Sequence, residues 1–358
     1  MNSDQHKPNM NVLLTSAGRR GYLVEYFKQA LNGRGQVVCA NAFPDSAAMY
    51  AADQRVVVPF SNDSAYVGTI IDLCHKYEIG LICSFHDLDV YVLSQHCDEL
   101  RHTGAVPVLP SAEWGRLTLD KYESTCLLNR NGFSVPWTSV RLSEAVRAIE
   151  EGTLGFPVTV KARGGFGSIG LSTCYSIDQI KRASDAAISQ AESLDKSWRI
   201  PFPVEESVLF QQTILGNEYC IGLVNDLRGR YASHLVTHIH AMRAGESDAA
   251  TTVDPQMAGD FPLRLSCITG HCGIWGVDCM QDNGVLRIID INPRFTGDYP
   301  FQHIAGANIP AALIAWACDE QPDPFWLQSN VGVRAYKNLV PTPVPVTADD
   351  ARVRVQQR

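Results

Sequence analysis

Apolar and polar positions divide the chain into a part with one rhythm and a part with several. Residues 11–16, 36–40, 55–59, 81–85 and 105–109 are short apolar or alternating runs that predict strands, and 22–31 and 64–76 between them carry helical periodicity. Strands alternating with helices predict a doubly wound α/β unit with an open parallel sheet. After Pro110 the rhythm changes. A helix over 121–131 is opened by Asp120 and closed by Asn131-Gly132, a strand over 156–161 ends on Lys161, and 176–194 is an amphipathic helix. Strands follow at 208–212 and 219–224, separated by Leu215-Gly216-Asn217-Glu218. The stretch 240–253, HAMRAGESDAATTV, has few large apolar residues and several charges, and so predicts a loop, exposed or built around a ligand, with Arg243 and Glu246 its notable members. Residues 274–280 and 285–291 predict a hairpin closed by Gln281-Asp282-Asn283-Gly284, where Asn-Gly is the strongest short turn signal. An apolar helix at 310–318 and a strand at 331–339 follow, and the proline- and charge-rich stretch 341–358 predicts no packed element.

At 358 residues the chain has material for two or three domains. A net charge of -8 argues against a general nucleic-acid binder, no apolar run reaches membrane-spanning length, and the polar start MNSDQHKPNM is not a signal peptide, which together point to the cytoplasm. The eleven cysteines are dispersed and none forms a CxxC pair, as expected of reduced, mostly buried thiols rather than a disulfide scaffold or a zinc site. His238 and His240 alternate and could ligate a metal from a strand; a strand-face or substrate-contact role is the plainer reading.

The hairpin carries the candidate chemistry. Alternation brings Asp278, Asp290 and Asn292 toward one face, and two carboxylates with an amide oxygen suit Mg²⁺ shared with phosphate oxygens. Most Asp-rich hairpins are solvated turns, but Asp290 lies inside Ile288-Ile289-Asp290-Ile291, where an unpaired charge is costly. Arg294, at the same parity, supplies the cation that a developing phosphoryl charge requires. Lys161 followed by Gly164-Gly165-Phe166-Gly167-Ser168-Ile169-Gly170 provides a point charge and a backbone that can approach phosphates closely, in an order unlike a Walker A loop. Gly18-Arg19-Arg20-Gly21, after the first strand, supports a tight turn and an anion contact without being a dinucleotide fingerprint. Asp87 and Asp89 stand at the carboxyl edge of the first sheet, where they meet a substrate or cap a helix.

In this order these elements resemble the ATP-grasp superfamily, and especially its branch similar to one ATP-binding half of the carbamoyl phosphate synthetase large subunit, over residues 11–340. The resemblance implies a Rossmann-like pre-ATP-grasp domain over 1–112, a central part with a small glycine-loop lid over 113–205, an antiparallel C-terminal part with the nucleotide hinge and metal site over 206–340, and a tail over 341–358. It implies that Lys121 and Lys161 are the basic ATP ligands and that Gly164, Gly165 and Gly167 form the lid loop. Gln211, Gln212 and Ile214 would be the adenine hinge and Glu218 the ribose carboxylate. Asp278, Asp290 and Asn292 would hold magnesium, or manganese in its place, Arg294 would steady the transferred phosphoryl group, and Arg243 would make another phosphate or acyl-phosphate contact. The chain departs from the family where Asp290, and often Asp278, would be glutamate, drawing each carboxylate back by roughly 1.5 Å. Gln211 also stands where acidic residues are common.

The implied activity is ATP-dependent activation of a small-molecule carboxylate as an acyl phosphate and its capture by an amine, such as an amino acid, in specialised biosynthesis, with no nucleic acid or membrane partner. The resemblance also implies a homodimer. Two rivals belong to other classes: a nucleotide-binding regulator without turnover, against which the retained Asp278, Asp290, Asn292 and Arg294 count, and a dinucleotide oxidoreductase, for which the glycine fingerprint is missing.

Overall fold

The computed structural model describes residues 10–164, 171–193 and 202–341. The first unit comprises β1 (Asn11–Thr15), α1 (Gly21–Leu31), β2 (Val37–Asn41), α2 (Ala47–Ala51), β3 (Gln54–Val57), α3 (Tyr66–Lys76), β4 (Ile79–Ser84), α4 (Asp87–Ser94), α5 (Cys97–His102) and β5 (Val106–Val108). Its strands form a parallel sheet in the order β3-β2-β1-β4-β5. Strands this apolar must be covered on both faces. One face packs with Tyr66, Ile70, Leu93 and Leu100 of α3, α4 and α5. The other packs with Leu23 and Phe27 of α1 and with residues from far along the chain, among them Phe295, Ile309 and Leu313.

The second unit runs through α6 (Ala112–Leu119), α7 (Lys121–Arg130), β6 (Thr138–Ser139), α8 (Leu142–Glu150), β7 (Val158–Ala162), β8 (Ser172–Cys174), α9 (Ile177–Ser193) and β9 (Val208–Gln212). Its four strands are antiparallel, in the order β6-β9-β7-β8. Because β9 pairs with β6 and β7, it belongs to this sheet and not to the C-terminal part, whose expected start at 206 falls one strand early.

The third unit contains β10 (Asn217–Asn225), β11 (Tyr231–Arg243), β12 (Glu246–Val253), α10 (Phe261–Thr269), β13 (Gly273–Asp282), β14 (Val285–Asn292), α11 (Tyr299–Ile304), α12 (Ile309–Ala317) and β15 (Arg334–Tyr336). Its sheet has the order β14-β13-β10-β11-β12-β15. The β13–β14 hairpin turns at Asn283 and Gly284, both with positive φ, as a two-residue primed turn requires. The expected loop over 240–253 is instead the tip of a second hairpin, β11–β12, turning at Ala244 and Gly245 with φ of 49° and 75°. Its inward residues Ser247, Ala249, Ala250 and Thr252 are small, so the strand carries little apolar weight although they are buried. The expected strand over 331–339 contracts to β15, and the 341–358 stretch lies, beyond residue 341, outside the described residues. Among the described residues no helix is long and apolar enough to cross a membrane.

Candidate active site

β14 positions the acidic groups by a bulge. Asp278 pairs with Asp290 and Cys279 with Ile288, which leaves Ile289 as an extra, unpaired residue. The extra residue lets Ile288 and Ile291 both face the core beside Val277 and Cys279, while Asp290 and Asn292 face the opposite side with Asp278. The Ile289 carbonyl lies 3.4 Å from the Lys161 ammonium nitrogen.

Two further elements deliver the lysines. Asp120 caps α7 by accepting from the Tyr122 and Glu123 amides at 3.0 and 3.1 Å, and Lys121 is the first residue of that helix. The same carboxylate takes two bonds from Arg163, at 2.9 and 2.8 Å, just past the end of β7. The Arg163 carbonyl in turn accepts the Lys121 amide, so the helix start and the strand end are clamped together and their lysines open on one cleft.

Lys121, Lys161, Gly164, Glu218, Asp278, Asp290, Asn292 and Arg294 all line that cleft. Lys121 holds both Asp290 oxygens, at 2.7 and 2.6 Å. Asn292 donates to Asp278 at 2.9 Å and accepts from Arg294 at 3.2 Å. Arg294 also donates to Asp87 at 2.9 Å, tying β14 to the start of α4 across the two units. Burial, then the Asp290 and Glu218 carboxylates, push Asp278 up to about 7. Burial pushes the Lys161 ammonium down to about 8 against the pull of Asp290. Burial also raises Glu218. At the Arg294–Asp87 pair burial opposes both charges, and their mutual attraction wins: the guanidinium is held above and the carboxyl below its ordinary value.

The remaining expected residues lie elsewhere. Gly165 and Gly167 are outside the described residues. Gln211 is buried and donates to Thr138 at 3.1 Å, the Gln212 amide is taken by the Trp137 carbonyl at 2.8 Å, and Ile214 is buried; none of the three lines the cleft. Arg243 is also absent from its lining. Arg243 pairs with Asp248 on the β11–β12 hairpin, while Met242 and Gly245 of that hairpin reach the cleft. The inward charge of the hairpin is Glu246, which accepts from Arg20 at 2.9 Å and from Lys337 at 3.1 Å. His238 stacks on Tyr219, and the His240 ring meets the Thr251 hydroxyl at 2.7 Å. Sequence reasoning missed Arg163 and the Asp87–Arg294 pair; only the placement of Asp87 at a sheet's carboxyl edge hinted at the second.

Comparison with known proteins agrees with this arrangement. A family model described as an ATP-grasp domain matches residues 118–298, and one described as a PylC-like N-terminal domain matches 12–109. The carbamoyl phosphate synthase large chain of Bifidobacterium adolescentis is 25% identical over 173 residues, 46% of this chain and 15% of that protein. A pyruvate carboxylase subunit of Methanothermobacter thermautotrophicus is 24% identical over 230 residues, 61% of this chain and 44% of that one, so the chain spans under half the length of either relative. Among solved structures, the biotin carboxylase domain of Hydrogenobacter thermophilus 2-oxoglutarate carboxylase, in complex with MgADP, ADP and bicarbonate, aligns with a TM-score of 0.68 at 17% identity over 92% of this chain and 73% of that one. The N5-carboxyaminoimidazole synthetase of Staphylococcus aureus complexed with ADP gives 0.65 at 14% identity, over 90% and 80%. At such identities the likeness is one of fold.

Proposed function

Because the chain belongs to the ATP-grasp family, we propose that it is a ligase that uses ATP to activate a carboxylate as an acyl phosphate and joins it to an amine, releasing ADP and phosphate. The observation that carries this reading is the convergence of two lysines, two aspartates, an asparagine and an arginine from three units on one cleft.

In the first step a carboxylate oxygen of the substrate attacks the γ-phosphorus and ADP leaves. This asks for alignment and charge neutralisation more than covalent help. Lys121 and Lys161 meet the phosphates. Arg294 keeps a buried Nε–H with no acceptor among the described residues, a donor suited to a phosphoryl oxygen. In the second step the amine nitrogen attacks the acyl carbon, phosphate departs with the bonding pair, and the nitrogen loses a proton. The donor set fits a hard divalent cation: Asp278, Asp290 and Asn292 offer oxygens, and the burial and carboxylate crowding that raise Asp278 are what such an ion would offset. Bound there, magnesium would supply the positive charge that neutralises the phosphates. The amine comes from an amino acid or a related small molecule, and the pathway is a specialised biosynthetic one. Gln211, Gln212, Ile214 and Arg243, which do not line the cleft, keep the adenine-hinge and phosphate-contact roles as assignments from the family alone.

Phosphate release with ATP and Mg²⁺ across pairs of small carboxylic acids and amines, with ADP and AMP resolved, tests the proposal. ADP formation that requires one particular pair supports it; AMP in place of ADP refutes the phosphoryl-transfer mechanism.

A further inference from the structure

Arg294 stands on a turn that is anchored from outside the cleft. The β14 ladder ends at the Asn292–Gly276 pair, and the Arg294 amide then bonds back to the Asn292 carbonyl at 2.8 Å, a γ-turn centred on Pro293. Pro293 has no N–H, and its own carbonyl is left outside the turn. The residue is buried, and a buried carbonyl needs a donor. That donor is His271, whose Nε2 lies 3.1 Å from the Pro293 oxygen, 22 residues away along the chain. Among the described residues this is the one hydrogen bond from the main chain of 293–295 to another element.

His271 is itself held firmly. It lies between α10 and β13, 1% exposed, with its ring stacked on Trp275 at 5.5 Å and 18°. Its carbonyl accepts the Asn225 amide at 2.7 Å, and the Ser266 hydroxyl donates to the Asn225 oxygen, so α10 and β10 fix the backbone beneath the ring. Nδ1 lies 2.6 Å from the Cys272 carbonyl. Burial pushes the imidazole down to about 4 against the pull of both carbonyls, so near neutral pH the ring carries one hydrogen for two acceptors. The Cys272 carbonyl stays beside Nδ1 in either tautomer, because the two residues are adjacent in the chain. The Pro293 carbonyl belongs to a distant turn and would be pushed away by a nitrogen lone pair, so its position selects the Nε2–H tautomer.

We propose that His271 is a positioning residue for phosphoryl transfer: its Nε2–H holds the Pro293 carbonyl, and through that turn it sets where the Arg294 guanidinium meets the transferred group. The inference rests on the ligase reading and adds to it a residue outside the lining of the cleft. Asn292 keeps its ladder pairing, and Phe295, packed against Phe27 and Phe85, secures the far end of the turn. Loss of the bond at Pro293 therefore shifts the turn without unfolding it. Lys121 and Lys161, on other elements, stay in place.

Glutamine and asparagine separate the two ring nitrogens, since a glutamine side chain can place its amide nitrogen where Nε2 lies and asparagine only where Nδ1 lies. ADP formation from MgATP with the productive acid and amine should fall by about 10- to 100-fold in His271→Asn and His271→Phe, while His271→Gln keeps about a third of the rate or more. The KM for MgATP should change by less than about threefold in each. In an Arg294→Lys background His271→Asn should lower the rate no further, because the two residues act at one place. Two readouts need no turnover. Imidazole nitrogen shifts should show the Nε2–H tautomer in the wild type, and the buried Arg294 Nε–H, identified by its loss in Arg294→Lys, should exchange with solvent faster in His271→Asn. An Nδ1–H tautomer, an asparagine variant that turns over like the wild type, or glutamine and asparagine variants equally impaired overturns the proposal. Where the asparagine and phenylalanine variants do not fold, the tautomer and the glutamine variant decide it. Absence of ADP formation by the wild type with every pair would overturn the ligase reading instead, and the tautomer and exchange readouts would still decide the anchor.

Discussion

At the residue scale the cleft holds more acid than its geometry would tolerate without cations, and Lys121 supplies the first of them by taking both oxygens of Asp290. Replacing Asp290 with alanine therefore frees Lys121 and, on the proposed metal assignment, removes a magnesium oxygen as well. Phosphate release should fall by about 100-fold or more with the far-ultraviolet dichroism unchanged; a variant keeping a tenth of the rate would sink the assignment. Lys161 makes a pH prediction. Its ammonium is pushed down to about 8 in the free protein, so the charge proposed to meet phosphate is present below that pH and fades above it. Fluorescent-nucleotide affinity should fall by up to about tenfold per pH unit above 8 in the wild type, and a Lys161→Met variant should lose that slope. The two aspartates, Asn292 and Arg294 were legible as a cluster because a carboxylate in an apolar run demands a partner. Arg163 was not, because its partner Asp120 lies 43 residues away and a single arginine has no periodic signature. At the β11–β12 tip, counting charges favoured Arg243, and alternation could not have corrected it, since the phase of the buried Ser247 and Ala249 does not single out Glu246 as the inward charge.

At the element scale the buried Asp120–Arg163 pair decides where α7 begins relative to the end of β7, and so the spacing of Lys121 and Lys161. Breaking such a pair from one side leaves a buried charge alone. Arg163→Ala should cost about 3–5 kcal/mol in urea unfolding and weaken MgATP beyond what lost stability explains; a loss under about 1 kcal/mol would mean that Asp120 serves only as a cap. Elements themselves were well read where periodicity was strong: the parallel sheet, α7, β9 and the β13–β14 hairpin fall within a few residues of their expected bounds. The bulge at Ile289 was not readable, since the run Ile288-Ile289-Asp290-Ile291 fits regular alternation with one isoleucine facing outward as well as it fits a bulge with two facing in. The β11–β12 hairpin escaped for the complementary reason, being buried through small residues.

At the scale of the whole molecule Glu246 joins three parts of the chain: Arg20 after β1, its own hairpin, and Lys337 after β15. Although burial opposes its charge, Arg20 and Lys337 hold its carboxyl down to about 2 against 4.5. A carboxyl depressed on folding stabilises fully above its unfolded value and loses that contribution as pH falls from about 4.5 toward 2. The shift corresponds to at most about 3 kcal/mol. Unfolding of the wild type and of Glu246→Gln should thus differ most at pH 5 and above and converge in acid; a gap independent of pH would assign the cost to packing. The same long connections have a bearing on biosynthesis. One face of the N-terminal sheet, beyond what α1 covers, is closed by Phe295, Tyr299, Ile309 and Leu313, and Asp87 waits for Arg294 across 207 residues. At the usual ribosomal pace of about 5–20 residues per second that wait is roughly 10–40 s. Throughout it the nascent chain carries a nearly finished sheet with a half-covered apolar underside and a carboxylate lacking its counterion, so the period in which it can be captured by a chaperone or another nascent copy is set by the speed of translation and not by the strength of the finished contacts.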